Sequence, residues 1–359
     1  MKLCCVIPSL QPGGMERVMS VLINGFVKHH NAEVHLVLYG SERTVFYDIN
    51  NMVITHIPSF EFNKQRRTWS TIKTMFFLRK TVRAINPDAV LSFGALWNSL
   101  VLLSCLGVKI PIYISDRGTP YNHSTGFHAR LKSFLYPQAA GIIVQTKYAE
   151  EVGKGMYKQK NYSIIGNPIQ IVDDIQEQHR ENTIVSVGRL IKTKHYDRLI
   201  NIFEKINNKN WKLIIIGGDA DGQHRLVELQ KQREDCSLKD NIILAGTQKD
   251  VTSYLLKAKI FAFTSSEEGF PNAIGEAMSA GLPVVAYDCI TGPSEMIEDG
   301  QNGFLTEVFD DETFQQRLET LMNNEELRNK MGKQAKESIK RFSEESIVEK
   351  FYKFITQTE

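Results

Sequence analysis

The sequence has no C-x-x-C pair, and its five cysteines are Cys4, Cys5, Cys105, Cys236 and Cys289. An odd, unpatterned set excludes a disulfide scaffold and a cysteine zinc ribbon, and it fits a reducing compartment. The segment 1–8 is not expected to be a secretory leader, because the apolar run at 3–7 is short, stops at Pro8 and has no small-residue cleavage site after it. The one candidate for a membrane span, 89–108, contains Ser92, Gly94, Asn98, Ser99 and Ser104. A buried strand, a turn and a buried helix fit it better than a span of about 20 residues. Neither G-x-G-x-x-G nor G-x-x-x-x-G-K-[ST] occurs, which removes the nucleotide-cofactor readings of those motifs. No short repeat, low-complexity tract or nucleic-acid-binding motif is present.

What is present is a chain of 359 residues, long enough for two domains. Hydrophobic residues at 42% and charged residues at 23% argue against disorder and against a polytopic membrane protein. Short β-branched runs recur at 3–7, 34–39, 89–93, 110–115 and 141–145, then at 183–187, 211–216, 241–245, 260–264 and 282–287. Near-continuous apolar runs separated by amphipathic stretches predict strands buried on both faces within βαβ units. The expected class is α/β with two Rossmann-like domains facing across a cleft. Asn167-Pro168 and the polar stretch after it look like the linker. The expected boundaries are 1–168 and 169–343, with a C-terminal helix at 344–359 returning to the first domain. Residues 1–170 hold 19 Lys and Arg against 9 Asp and Glu, a formal +10, while 171–359 hold 24 against 32, a formal −8. A basic half next to an acidic half suggests that the first faces something anionic.

Three loops carry chemistry. After the run at 260–264 comes Ser265-Ser266-Glu267-Glu268-Gly269-Phe270-Pro271-Asn272-Ala273-Ile274-Gly275-Glu276. Gly269 permits an unusual backbone angle and Pro271 suits a first helical turn, so the amides of Asn272, Ala273 and Ile274 are expected free at a helix start, where an anion can sit. Glu276, one turn in, can hydrogen-bond a polyol, and Glu268 can approach a second hydroxyl-rich group. After 183–187 come Gly188, Arg189 and Lys194, two cations at the carboxyl end of a strand, able to neutralise a diphosphate. After 3–7 comes Ser9-Leu10-Gln11-Pro12-Gly13-Gly14-Met15-Glu16-Arg17, whose paired glycines let backbone approach a phosphate. Asp219-Ala220-Asp221 follows Gly217-Gly218 and reads as a turn rather than a metal site, and His195 as a helix-start residue.

These segments resemble a GT-B glycosyltransferase of glycosyltransferase family 4 over nearly the whole chain. The resemblance rests on P-S-L-x-x-G-G-M-E-R at 8–17, on Gly188-Arg189 through Lys194, and on Glu268 and Glu276 within E-G-F-P-N-A-I-G-E-A. It also takes in Ala280-Gly281-Leu282-Pro283-Val284 and Gly300-Gln301-Asn302-Gly303-Phe304-Leu305. The resemblance implies transfer of a sugar from a nucleotide-sugar, UDP-linked, with retention at the anomeric carbon, and no metal or other cofactor. It implies that Arg189 and Lys194 hold the donor diphosphate, Glu268 the donor sugar and Glu276 the ribose. The amides of Gly269, Phe270, Pro271's neighbours, Asn272, Ala273 and Ile274 then cradle sugar and phosphate, the base lies near Gly246 and Thr247, and Gly14 approaches from the other domain. Many relatives carry a histidine after the strand at 110–115. Here that loop reads Ser115-Asp116-Arg117-Gly118, so the acceptor-side candidates are Asp116, Arg117 and the nearby His123, with His128 close in sequence.

Residues 64–83 hold Lys64, Arg66, Arg67, Lys73, Arg79, Lys80 and Arg83, no acids, and Trp69, Met75, Phe76 and Phe77 among them. A basic helix with aromatics suits the surface of an anionic bilayer. The combined expectation is a cytoplasmic enzyme peripheral on the inner face of the cell membrane, with no nucleic-acid partner. It moves a hexose or N-acetylhexosamine to a polyprenyl-diphosphate-linked saccharide during surface-polysaccharide or glycan assembly. The alternatives are a sugar-nucleotide epimerase of the same architecture and a non-catalytic sugar-nucleotide-binding scaffold.

Overall fold

A computed structural model describes residues 1–118, 126–172, 180–220 and 222–357. The chain divides into two compact units, one of residues 1–168 with 344–359 and the other of 169–343. In the first, β1 (Lys2–Ile7), β2 (Glu33–Leu38), β3 (Ile54–His56), β4 (Ala89–Phe93), β5 (Ile112–Ser115), β6 (Gly141–Val144) and β7 (Tyr162–Ile164) form a parallel sheet ordered β3-β2-β1-β4-β5-β6-β7. In the second, β8 (Thr183–Val187), β9 (Lys212–Ile216), β10 (Ile242–Gly246), β11 (Ile260–Phe263), β12 (Val284–Tyr287) and β13 (Gly303–Thr306) form a parallel sheet ordered β10-β9-β8-β11-β12-β13. Leu3 pairs with both Val34 and Ala89, and Ile184 with both Leu213 and Ile260, so β1 and β8 are central strands.

The apolar runs are continuous because helices cover both faces of each sheet. Successive residues of the second sheet drop into opposite cores. Ile184, Ile260, Ala262, Val285 and Tyr287 join one buried cluster with Leu199, Phe203 and Phe314. Val185, Phe261, Phe263, Val284 and Ala286 join another with Ile274, Ala277 and Met278. This is the two-residue period of a strand dividing its side chains between two layers. The 89–108 stretch is strand β4, a turn at Gly94 and helix Ala95–Ser104. Two further helices, Asp311–Asn323 and Glu325–Ser338, are parted at Asn324, whose side chain accepts from Leu327 N–H at 2.9 Å. The C-terminal helix Glu344–Thr356 buries Ile347, Val348, Phe351 and Ile355 within the first unit, and Phe351 lies 6.0 Å from the Phe93 ring.

All five cysteines are buried and unpaired. Burial pushes the Cys5 and Cys289 thiols up to about 12 and Cys105 and Cys236 up to about 11, and it raises Cys4 as well. Thiols held in the protonated form are poor nucleophiles. In the native state at pH 8 none should react with a thiol-specific disulfide reagent within minutes, whereas all five should react in denaturant. Rapid native reaction of any one would contradict this packing.

Candidate functional site

The strand order places the site. From β8 the chain turns to β9 and β10 on one side and later to β11, β12 and β13 on the other. Ligands bind open parallel sheets outside the carboxyl ends of strands at such a reversal. The loop after β8 holds Gly188, Arg189 and Lys194, and the loop after β11 holds Glu268 through Pro271 and leads into helix Asn272–Ser279.

Short hydroxylic side chains stitch these two loops together. Thr264 Oγ1 donates to Lys194 O at 2.8 Å, and Ser265 Oγ and Ser266 N–H donate to Thr193 O at 3.2 and 2.8 Å. His195 Nε2 meets Ser266 Oγ at 2.8 Å, while its backbone, at φ 49°, precedes helix Tyr196–Ile206 as its N-terminal cap residue. Burial lowers the pKa of that imidazole. Thr291 Oγ1 donates to Glu268 O from the loop after β12. The result is an ion pair. Lys194 Nζ lies 2.5 Å from Glu268 Oε1, each side chain is 14% exposed, and the ammonium stands 4.9 Å from the Phe263 ring centroid. Removing either charge would leave the other shielded from water and unpaired.

Backbone packing sets the floor. Gly217 has φ 157°, and a Cβ there would fall 1.9 Å from Gly188 O, so the ends of β8 and β9 approach as only glycine allows. Thr247, exposed at the end of β10, holds its hydroxyl where a side chain on Gly218 would lie. Arg189 is exposed, and its carbonyl accepts from Ile191 N–H at 2.9 Å while its side chain has no hydrogen bond or ion pair among the described residues. Glu276 is half-buried in helix Asn272–Ser279.

The expected row of free amides differs in detail. Pro271 is the residue before the helix rather than its first member. Asn272 N–H donates to Phe270 O and Ile274 N–H to Pro271 O, both at 3.0 Å, which among the described residues leaves Ala273 N–H as the unspent donor of the three. The Phe270 ring is buried against Phe342, so this residue can offer only backbone. Asp219 accepts from Leu226 N–H at 3.0 Å, a turn and helix-start role, and Asp221 lies outside the described residues.

The first unit has the same kind of reversal, between β1 and β4. Gly14 opens helix Gly14–His30, and a Cβ on it would meet nothing within 4 Å. Asp116 follows β5, accepts from Gly118 N–H at 3.3 Å, and lies 3.4 Å from the Tyr136 hydroxyl. Arg117 turns inward. Its guanidinium stacks on Phe93 and Phe351 at 5.0 and 5.2 Å and donates to Ser115 Oγ and Asn167 Oδ1, and burial pushes its pKa down to about 9. Arg117 therefore braces the unit. His123 lies outside the described residues.

Sequence reasoning missed the stitching residues Thr264, Ser265, Ser266 and Thr291. The run Thr-Ser-Ser after a strand was the available signal, since such hydroxyls seek nearby carbonyls.

Comparison with known proteins follows the division into units. The family model described as Glycosyltransferase Family 4 matches residues 12–171, and that described as Glycosyl transferases group 1 matches residues 170–338. The chain is 28% identical over 350 residues to the amylovoran biosynthesis glycosyltransferase AmsD of Erwinia amylovora, covering 94% of this chain and 95% of that one. It is 26% identical over 367 residues to the GalNAc-alpha-(1->4)-GalNAc-alpha-(1->3)-diNAcBac-PP-undecaprenol alpha-1,4-N-acetyl-D-galactosaminyltransferase of Campylobacter jejuni, covering 99% of each. Among solved structures, Anabaena Alr3699/HepE in complex with UDP is similar in fold, with TM-score 0.80 and 18% identity over 99% of this chain and 100% of that one.

Proposed function

Because this chain belongs to the GT-B glycosyltransferases of family 4, we propose that it moves a hexose or N-acetylhexosamine from a UDP-linked donor to a polyprenyl-diphosphate-linked saccharide, with retention at the anomeric carbon. The observation that carries the donor side is the Lys194–Glu268 pair at the strand reversal of the 169–343 unit, beside an exposed Arg189. On this reading a donor diphosphate draws Lys194 and Arg189, since both cations suit its charge. Glu268, released from its partner, accepts from the sugar hydroxyls. Cations fixed at the diphosphate stabilise the charge that develops as the glycosidic bond breaks, and the leaving phosphate takes the acceptor's proton. Glu276 holds the ribose, and Thr247 lies by the base. No metal or other cofactor has a role in this scheme.

The acceptor class is supported by the Campylobacter relative, whose name specifies an undecaprenol-linked substrate. Incubation of the purified protein with labelled UDP-sugars and a membrane lipid extract, followed by organic partition and NMR of the product linkage, tests the reading. Label in the organic phase with the donor's anomeric configuration is expected. Label found only as free or isomerised sugar would contradict it.

We also propose that helix Arg67–Ile85 docks on an anionic membrane surface at the cytoplasmic face. Leu78, Val82 and Ile85 pack inward, whereas Trp69, Ile72 and Phe76 are exposed at helical spacing beside exposed Lys73, Lys80 and Arg83. Lys64, Arg66 and Arg67 are exposed at its start, but Arg79 is committed to the carbonyls of Ser104 and Leu106 at 3.1 and 2.8 Å. Among the described residues no helix is long and apolar enough to cross a membrane. Each cation near such a surface contributes roughly 1 kcal/mol, so Lys80→Gln with Arg83→Gln should weaken binding to phosphatidylserine-containing vesicles about thirtyfold. Unchanged vesicle binding would count against this role.

A further inference from the structure

A cavity of about 430 Å³ is lined by residues that flank Lys194 and Glu268 in the two stitched loops, but by neither member of that ion pair. Its size falls within the range of small-ligand sites, roughly 300–1,000 Å³. One wall is the ring of Phe309, 47% exposed, with Ile290 beside it at 60%. The rim is polar: Lys192 and Thr193 come from the loop after β8, and Ser266 and Glu267 from the loop after β11.

Phe309 is a built feature. Its φ of 73° puts a bulky residue in the left-handed region, a conformation that glycine or asparagine adopts far more readily. The ring is held by the Arg198 guanidinium 4.4 Å from its centroid and by the edges of His195 and Tyr287 at 4.9 and 6.2 Å. Arg198 is fixed by Asp311 at 2.8 Å, and Asp311 also accepts from the Tyr287 hydroxyl. Strain of this kind persists where the surroundings over-determine it, and it gathers at ligand clamps. A rigid aromatic face with hydrogen-bond donors and acceptors around it matches a pyranose ring, which has an apolar C–H face and an equatorial belt of hydroxyls. An apolar peptide would not use the rim, and an anion would meet Glu267.

We propose that this cavity is a saccharide subsite, separate from the donor site, that stacks one sugar residue of a glycan on Phe309 and hydrogen-bonds it through Lys192 and Glu267. The assignment rests on surface chemistry and needs no catalysis, so its failure and that of the transferase reading are distinguishable. The test is direct binding of maltotriose, N,N′-diacetylchitobiose and a GalNAc-α-1,4-GalNAc disaccharide, read by saturation-transfer NMR with and without UDP. At least one probe should bind in the millimolar range in the presence of saturating UDP. Phe309→Asn should weaken it about tenfold or more while the melting temperature holds or rises, because asparagine tolerates the left-handed angle. Ile290→Ala should weaken it in the same direction, and Arg189→Ala should leave it unchanged. Absence of binding by all three probes, displacement by UDP, or full binding by Phe309→Asn would each overturn the subsite.

Discussion

Alanine at Arg189 or Lys194 should lower sugar transfer by about a hundred- to a thousandfold, the loss typical when one fixed group that stabilises developing charge is removed. The two changes should differ in their side effects. The Arg189 side chain is exposed and without a partner among the described residues, so its loss should leave stability within about 0.5 kcal/mol. Lys194 is half-buried against Glu268 at 2.5 Å, so Lys194→Ala strands a shielded carboxylate. Glu268→Ala strands the ammonium in the same way. Each single change should therefore destabilise the protein, and the double change Lys194→Ala with Glu268→Ala should cost less than their sum, with a coupling of about 0.5–3 kcal/mol. Thermal melts of the four proteins read that coupling, and steady-state kinetics read the transfer loss. Additive stability effects would mean that the pair is not a unit, and near-normal transfer by Lys194→Ala would remove it from the diphosphate role.

The largest effect on stability is expected at Gly217. A Cβ there would sit 1.9 Å from Gly188 O, a backbone atom that cannot move without displacing the β8–β9 ladder, and φ of 157° strains any other residue. Overpacking and backbone strain cost about 1–3 kcal/mol each, so Gly217→Ala should destabilise the 169–343 unit by about 2–6 kcal/mol. Because the same contact sets the height of Gly188 beneath Lys194, donor affinity should fall along with stability. Calorimetry and UDP titration on the folded fraction check the two effects. A variant with unchanged melting and unchanged UDP affinity would show that the close approach is dispensable.

Much of the architecture was legible because buried parallel strands write themselves as unbroken apolar runs. Ala89–Phe93 and Thr183–Val187 coincide with the expected runs, and the other central strands shift by one or two residues at their ends. The strands not anticipated lie at sheet edges. Ile54–His56 and Tyr162–Ile164 are three residues long with half-buried or exposed side chains, so they carry neither length nor hydrophobicity as a signal. Gly303–Thr306 drew notice only as a motif. In the candidate site, residue types drew attention to the loops after β8 and β11, but the partnerships between those loops were not readable. Lys194 and Glu268 are 74 positions apart, and their loops are joined by hydroxyls after β11 that donate to carbonyls of the loop after β8. Arg117 stood with Asp116 as an acceptor-side candidate, yet Phe93, Phe351 and Asn167 come from three separate parts of the chain to enclose it.

Nucleotide release by the purified protein, measured over UDP-, GDP- and ADP-sugars with and without a membrane lipid extract, tests the transfer reading most directly. The account predicts release from one UDP-sugar that rises on adding lipid and collapses in Arg189→Ala. Tight UDP binding with no release from any donor, lipid present, would contradict it.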